Sequence, residues 1–372
     1  MAALIAASAV RTCFGDGDRT FAGLLRGRCG AGPLRHGDPD RLGVTTGYHA
    51  EGGGDRAYLA GRLLEACLSE VIRESGVDTA RQRVTVLVAT GLRELAAVES
   101  WAVVHSPPPV GRLDFTGVVA GVLPGAAEVI TFAGACSAGG YALGLAQDMV
   151  EHGEADVVVV AAADGMTESM LAMIGQVGGE RADRVRPFDR DRAGVLLGDG
   201  AAAVVVTDES WTGPALGRLV ASGLSCDAFH VTAPDLEGIC RATAEAYHRA
   251  GRDPSQVDLV VAHGTGTALN DPVECEALRK VVLGAGGDPL VTGVKGALGH
   301  TSGAAALVNL DVALQCLATA AVPPVVGLRE PLAEGTGLRF VRGAPARLPL
   351  GLVQLNAFGF GGVNAVTLVE AL

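Results

Sequence analysis

The sequence predicts an α/β protein whose strands are buried on both faces, arranged as two halves of similar rhythm. Three observations carry that expectation. Short, nearly unbroken runs of β-branched and small residues recur at 83–91 (RVTVLVATG), 155–164 (ADVVVVAAAD), 200–208 (GAAAVVVTD), 257–264 (VDLVVAHG) and 351–362 (GLVQLNAFGFGG). Segments with helical spacing or small-residue composition separate them, as in an α/β fold where helices cover the sheet. The 372 residues are 49% hydrophobic and only 19% charged, with a mean hydropathy of +0.34, an apolar surplus suited to a large core and a subunit interface.

Taken in order, MAALIAASAVRTCFGDG has no basic leader and runs straight into a turn-rich segment, so it reads as a strand and turn rather than a secretory signal. RAYLAGRLLEACLSEVIRESG at 56–76 has the spacing of an amphipathic helix, and strands follow at 83–91, 155–164 and 200–208. TDESWTGPALG at 207–217 ends one strand and begins another without a flexible tether, which divides the chain into halves at 1–212 and 213–372. EGICRATAEAYHRAG at 237–251 is a second amphipathic helix. TSGAAALVNLDVALQCLATAAV, from Thr301, is apolar but broken by Asn309, Asp311 and Gln315, so it reads as a buried core helix and not as a membrane span.

Charge and cysteine content exclude several function classes. A formal charge of −12 argues against a nucleic-acid binder. Eight cysteines stand at 13, 29, 67, 136, 226, 240, 275 and 316, with no C-x-x-C pair and no Cys/His cluster at zinc spacing, a pattern that suits a reducing cytoplasm and encodes no metal site.

Four stretches carry chemistry. In TFAGACSAGGYALGLAQDM (131–149), Cys136 follows an extended apolar run and opens a helix of small residues, where free N–H groups and the helix dipole lower a thiol pKa. It is either a thiolate nucleophile or a small residue that lets helices pack closely. In VVAHGTGTALNDPVECEAL (260–278), His263 leaves the end of an apolar strand for a loop containing Thr265 and Thr267, as a functional ring or as a polar strut. In VTGVKGALGHTSGAAALVNL (291–310), Lys295 and His300 flank a glycine-rich turn. Lys295 needs a partner, and Glu274 is the carboxylate expected to pair with it. In LNAFGFGGVNAVTLVEAL (355–372), Phe358, Phe360 and Gly361 lie in a sharp loop that brings backbone N–H groups close to a ligand, with rings above it, or forms a plain hairpin.

These four stretches, in this order, resemble the β-ketoacyl synthases, the condensing enzymes of fatty acid and polyketide synthesis. RPFDRDRAGVLLGDGAA (186–202) and CDAFHVTAPDLEG (226–238) are similar to further family segments. The resemblance implies a thiolase-like αβαβα sandwich built from two similar halves, usually dimeric. It implies that Cys136 takes an acyl group from an acyl carrier protein or coenzyme A thioester, and that His263 and His300 promote decarboxylation of a malonyl-type extender. Lys295 and Glu274 would be an ordering ion pair, and the N–H groups of Cys136 and Phe360 the oxyanion hole. Thr265 and Thr267 would line the malonyl site, and Phe358 and Phe360, with Gly361, the gate. No cofactor, metal, nucleic acid or membrane is implied. The partners would be the carrier and a second subunit, identical or similar.

The likeness has departures. The stretch 89–121 is shorter than in the family, Val363 stands where Thr is usual, and Asp199 stands where Glu is usual. They suggest a divergent stand-alone member in bacterial type II polyketide or specialised fatty acid assembly. Two rivals keep the fold: an acyltransferase that makes an ester or amide through an acyl-Cys136 intermediate without decarboxylation, and a non-catalytic chain-length partner subunit, against which the presence of Cys136, His263 and His300 stands.

Overall fold

A computed structural model describes residues 3–51, 56–177 and 182–372. Eleven strands form the main sheet: β1 (Ala3–Arg11), β2 (Val84–Thr90), β3 (Glu128–Ala133), β4 (Val157–Asp164), β5 (Gly200–Thr207), β6 (Gly217–Cys226), β7 (Leu259–Val261), β8 (Leu290–Thr292), β9 (Arg339–Phe340), β10 (Leu352–Gly359) and β11 (Val363–Glu370). Their order is β9-β8-β7-β10-β11-β6-β1-β5-β4-β2-β3.

Two equivalent halves meet at the β1–β6 pairing, a joint of three residue pairs from Ala3↔Leu219 to Ile5↔Gly217. Outward from it, β5 runs antiparallel to β1 and β4 antiparallel to β5, after which β2 and β3 are parallel. On the other side β11 is antiparallel to β6 and β10 antiparallel to β11, after which β7, β8 and β9 are parallel. The same path is drawn twice.

The alternation of side chains explains why the strands read as continuous apolar runs. In β4, Val158, Val160 and Ala162 enter one core while Val157, Val159, Ala161 and Ala163 enter another. The first core lies between the halves and holds helices Ala138–Glu151 and Ala305–Thr319; the second is covered by helix Leu59–Ser75. In the C-terminal half, Leu259 and Val261 face the shared core, while Val260 faces a third one covered by helices Leu236–Ala250 and Asn270–Val281. Helix, sheet, paired helices, sheet and helix thus make five layers, as in the thiolase-like sandwich.

The apolar stretch from Thr301 lies in the middle layer. Ser302–Thr319 is long and apolar enough to cross a membrane, but 78% of it is buried within the protein. Asp311 and Gln315 are partnered inside: Asp311 accepts from Ser8 Oγ and Gln315 Nε2, both at 2.8 Å. The 89–121 region folds around helices Leu95–Val104 and Thr116–Val122 with a short turn between, and it exposes Trp101, Val103, Val104 and Val110.

The middle layer tolerates no added bulk at the start of helix Ala138–Glu151. A Cβ on Gly140 would lie 2.6 Å from Ala365 Cβ, and one on Gly139 would lie 3.0 Å from the Gly303 carbonyl oxygen. Overpacking a dense core costs about 1–3 kcal/mol, more than the gain of under about 1 kcal/mol from replacing a helical glycine. Gly140→Val is therefore expected to lower the urea midpoint of unfolding with an unchanged slope. A midpoint equal to that of the wild type would contradict this packing.

Candidate active site

Cys136 sits where β3 turns into helix Ala138–Glu151. Ala135 adopts a left-handed conformation (φ +48°), which swings the chain through a tight turn over Ala135–Ser137 and presents residue 136 at the strand end. The thiol differs from its sequence expectation. Burial pushes it up to about 11, and the nearby Asp164 carboxylate adds to this. The positive charge of Lys295 and the N–H groups of Phe360 and Cys136 pull the other way without overcoming desolvation. The close-packing reading of CSAGG also holds, because Gly139 and Gly140 are where the helix approaches its neighbours.

The Gly/Phe loop closes over this turn. Gly361 and Gly362, at φ +82° and +79°, turn β10 into β11, and a Cβ on Gly359 would lie 2.9 Å from Ser137 Oγ. The Phe360 N–H is thereby brought to the Cys136 sulfur. The two rings part company. Phe358 is buried with its centroid 5.5 Å from that of His263, whereas Phe360 is 41% exposed.

His263 emerges just past β7 and is 3% exposed. Its peptide is gripped from both sides. Glu274 accepts from the His263 N–H at 2.7 Å and the Gly264 N–H at 2.8 Å, while Lys295 Nζ donates to the His263 carbonyl oxygen and lies 3.4 Å from its Nδ1. The ion pair expected between Lys295 and Glu274 is therefore not a direct contact: among the described ion pairs none joins them. Their charges interact across the histidine backbone, and Glu274 opposes the burial that brings Lys295 down to about 8.

His300 faces His263 edge-on, with ring centroids 5.4 Å apart at 85°. Its Nδ1 accepts from the Ser302 N–H at 3.2 Å, so the proton of the neutral ring belongs on Nε2. That Nε2 is buried and has no hydrogen-bond partner among the described residues. In His263 the Lys295 ammonium beside Nδ1 imposes the same tautomer. Burial, and then the Lys295 charge, holds both rings well below the usual imidazole range. Two neutral imidazoles thus each carry a proton on Nε2.

Thr265 and Thr267 are joined through their hydroxyls at 2.9 Å, beside His263. Several supporting residues were not singled out from the sequence. Asp271 accepts from the N–H groups of Phe188 (2.7 Å) and Thr265 (3.0 Å), and Asn270 and Asn356 donate to Glu274 at 3.2 and 2.9 Å. Asp164, at the end of β4, accepts from Thr90 Oγ1, the Gly91 and Leu92 N–H groups and, across the two halves, the Gly303 N–H at 2.7 Å. The available signal was polarity in otherwise apolar surroundings: Asp164 at a strand end, Asn356 within a strand, and Asn270 and Asp271 at a helix start.

Two outcomes follow for Cys136. Alkylation of its thiol by iodoacetamide should accelerate about tenfold per pH unit between about pH 7 and 9, since only the thiolate reacts and the thiol ionises higher still. A rate that levels off near neutrality would contradict a thiol pushed up by desolvation. Lys295→Met should slow alkylation near pH 7, because it removes the charge that pulls the thiol down, and the difference should shrink above about pH 8 as the wild-type ammonium itself deprotonates; an unchanged rate at pH 7 would show that the two do not interact.

Comparison with known proteins agrees with this geometry. The model of the β-ketoacyl synthase N-terminal domain matches residues 56–210 and that of the β-ketoacyl synthase C-terminal domain matches residues 216–329. A 3-oxoacyl-[acyl-carrier-protein] synthase 2 of Coxiella burnetii is 29% identical over 322 residues, 79% of this chain and 76% of that enzyme. The enzyme of the same name from Rhizobium meliloti is 34% identical over 252 residues, 62% of this chain and 58% of that one. Among solved structures, the ishigamide ketosynthase/chain length factor superposes with a TM-score of 0.90 at 28% identity, covering 100% of this chain and 99% of that one. The complex AntDE:AntF, a type II polyketide ketosynthase with its acyl-carrier protein, shares the fold with a TM-score of 0.88 at 18% identity, covering 100% and 99%. With models of both domains matched in order and the Cys136 turn, two imidazoles and Gly/Phe hairpin brought together by the fold, the chain belongs to the β-ketoacyl synthase family of thiolase-like acyltransferases.

Proposed function

We propose that this protein catalyses decarboxylative Claisen condensation of an acyl thioester with a malonyl-type thioester held on an acyl carrier protein, in bacterial type II polyketide or specialised fatty acid assembly. The observation that carries the reading is the pair of buried, neutral imidazoles with Nε2–H donors, one of them unpartnered, beside a cysteine at a strand-to-helix turn.

The chemistry runs in two halves. Cys136 attacks the incoming thioester, the N–H groups of Cys136 and Phe360 hold the tetrahedral oxyanion, and the thiol proton ends on the departing carrier thiol. A malonyl thioester then loses carbon dioxide, and the negative charge that develops on its thioester oxygen is taken up by the Nε2–H groups of His263 and His300. The enolate carbon attacks the acyl-Cys136 carbonyl. The backbone N–H groups of Cys136 and Phe360 hold the second oxyanion, which collapses to the β-ketoacyl product and releases the Cys136 thiolate, reprotonated from solvent at the end of the cycle. Thr265 and Thr267 would flank the malonyl group, Phe360 and Gly361 the entrance, and Phe358 the wall behind His263. Lys295 and Glu274 fix His263 and do not touch substrate.

The same reading assigns a similar subunit as partner. Strand β3 is one outer edge of the sheet, with Val129, Ile130 and Phe132 only part-buried, and helix Leu95–Val104 exposes Trp101, Val103 and Val104. An open strand edge favours strand addition, and exposed apolar side chains favour association with a second subunit. Light scattering should give about twice the 37.6 kDa chain mass, alone or after coexpression with a similar subunit. A stable monomer in both preparations would contradict it.

The two half-reactions separate the condensing reading from simple acyl transfer. In His300→Ala, Cys136 should still be acylated, as seen by intact-protein mass spectrometry, while carbon dioxide release from a malonyl carrier falls by roughly 10²-fold. Cys136→Ala should fold and take no acyl group. Wild-type enzyme that loads acyl groups, releases no carbon dioxide from any malonyl-type donor and passes the acyl group to an alcohol or amine would replace this reading with the transferase.

A further inference from the structure

Strand β10 reads Leu352-Val-Gln-Leu-Asn-Ala-Phe-Gly359, and its even-numbered residues face the outer helices of the C-terminal half. Leu352 and Phe358 suit that apolar layer, but Gln354 and Asn356 stand between them, 0% and 2% exposed. Two buried amides on one face of a strand destabilise the fold unless every polar atom finds a partner. Here they form a directed chain. Asn356 Nδ2 donates to Glu274 Oε1 at 2.9 Å, Gln354 Nε2 donates to Asn356 Oδ1 at 2.8 Å, and Tyr247 Oη, from helix Leu236–Ala250, donates to Gln354 Oε1 at 2.8 Å.

The direction of each link is forced. An ionised carboxylate only accepts, so Asn356 must turn its NH2 toward Glu274 and its oxygen toward Gln354. Gln354 must then present its NH2 to Asn356 and its oxygen to the phenol. Tyr247 closes the chain as a pure donor at that end, and burial keeps its hydroxyl protonated. Glu274, at the other end, holds the peptide N–H groups of His263 and Gly264. Asn309 supports the middle link from the central layer, its Nδ2 lying 3.4 Å from the Asn356 carbonyl oxygen.

We infer that Tyr247 and Gln354 are positioning residues for the reaction, acting through Asn356 and Glu274 to fix the backbone from which His263 projects. The inference rests on the condensing reading for its kinetic consequence and on geometry alone for its structural one. Without the phenol, Gln354 loses the partner that fixes its amide. Without the Gln354 amide, Asn356 can flip and set its oxygen against Glu274. The grip on His263 loosens, while the oxyanion hole, built from Cys136 and the β10–β11 hairpin, is untouched.

The test uses Tyr247→Phe, which removes one oxygen and keeps the packing, and Gln354→Met, which keeps the length and loses the amide. Each should lower carbon dioxide release from a malonyl carrier roughly 3- to 10-fold, the effect of one buried hydrogen bond, with Cys136 acylation changed by less than about twofold. Because both act on one chain, Tyr247→Phe should have little further effect in the Gln354→Met background. Hydrogen–deuterium exchange supplies a readout independent of activity: the peptide spanning His263 and Gly264 should exchange faster in both variants, and the peptide spanning His300 should not. Acylation and decarboxylation falling together, additive effects, or unchanged exchange at His263 would overturn the inference. If the wild type releases no carbon dioxide, the condensing reading fails and the exchange result alone decides the relay.

Discussion

The site depends on how closely the two halves of the molecule approach in the middle layer. Helix Ala138–Glu151 comes from the first half and helix Ala305–Thr319 from the second, and the residues at their facing starts are Gly139, Gly140, Gly303 and Ala304. That contact sets the Cys136 turn of one half against the imidazole turn of the other. Asp164 ties the arrangement by holding, with one carboxylate, loop residues after β2 and the Gly303 N–H across the boundary. Small side chains here do not leave the layer loose. They replace side-chain volume with backbone-to-backbone contact, which has far fewer ways to relax.

Electrostatics follow from the same burial. Desolvation raises the Cys136 thiol, lowers the Lys295 ammonium and keeps both histidines neutral, so the resting site carries little exposed charge. Neutral imidazoles suit an enolate, since a fixed N–H donor stabilises charge that develops on the substrate without delivering a full proton. Lys295 links the parts: its charge disfavours protonation of both histidines and favours the thiolate of Cys136.

Much of this was legible in the sequence, and for identifiable reasons. The apolar runs at 83–91, 155–164, 200–208 and 351–362 became strands because both faces of each are buried, which removes the polar alternation that otherwise obscures a strand. Cys136 and His263 were found because each follows an apolar strand, and Lys295 and His300 because they flank a glycine-rich turn. What stayed hidden was set by distance in space. The sequence could not show that Lys295 and Glu274 grip opposite sides of one peptide, that burial outweighs the helix terminus at Cys136, or that Phe358 turns inward while Phe360 turns out. Gln354 and Asn356 were visible as polar residues in a strand, but only the fold places Tyr247 and Glu274 at the two ends of their chain.

The central claim is that His263 and His300 are both neutral and both carry their proton on Nε2. Histidine-selective nitrogen-15 NMR, assigned with single His→Gln variants, reads tautomer and charge directly. This account predicts two rings in the neutral Nε2–H form from about pH 6 upward, with no titration near the ordinary imidazole value of about 6.5. A ring that titrates there, or one protonated on Nδ1, would contradict it.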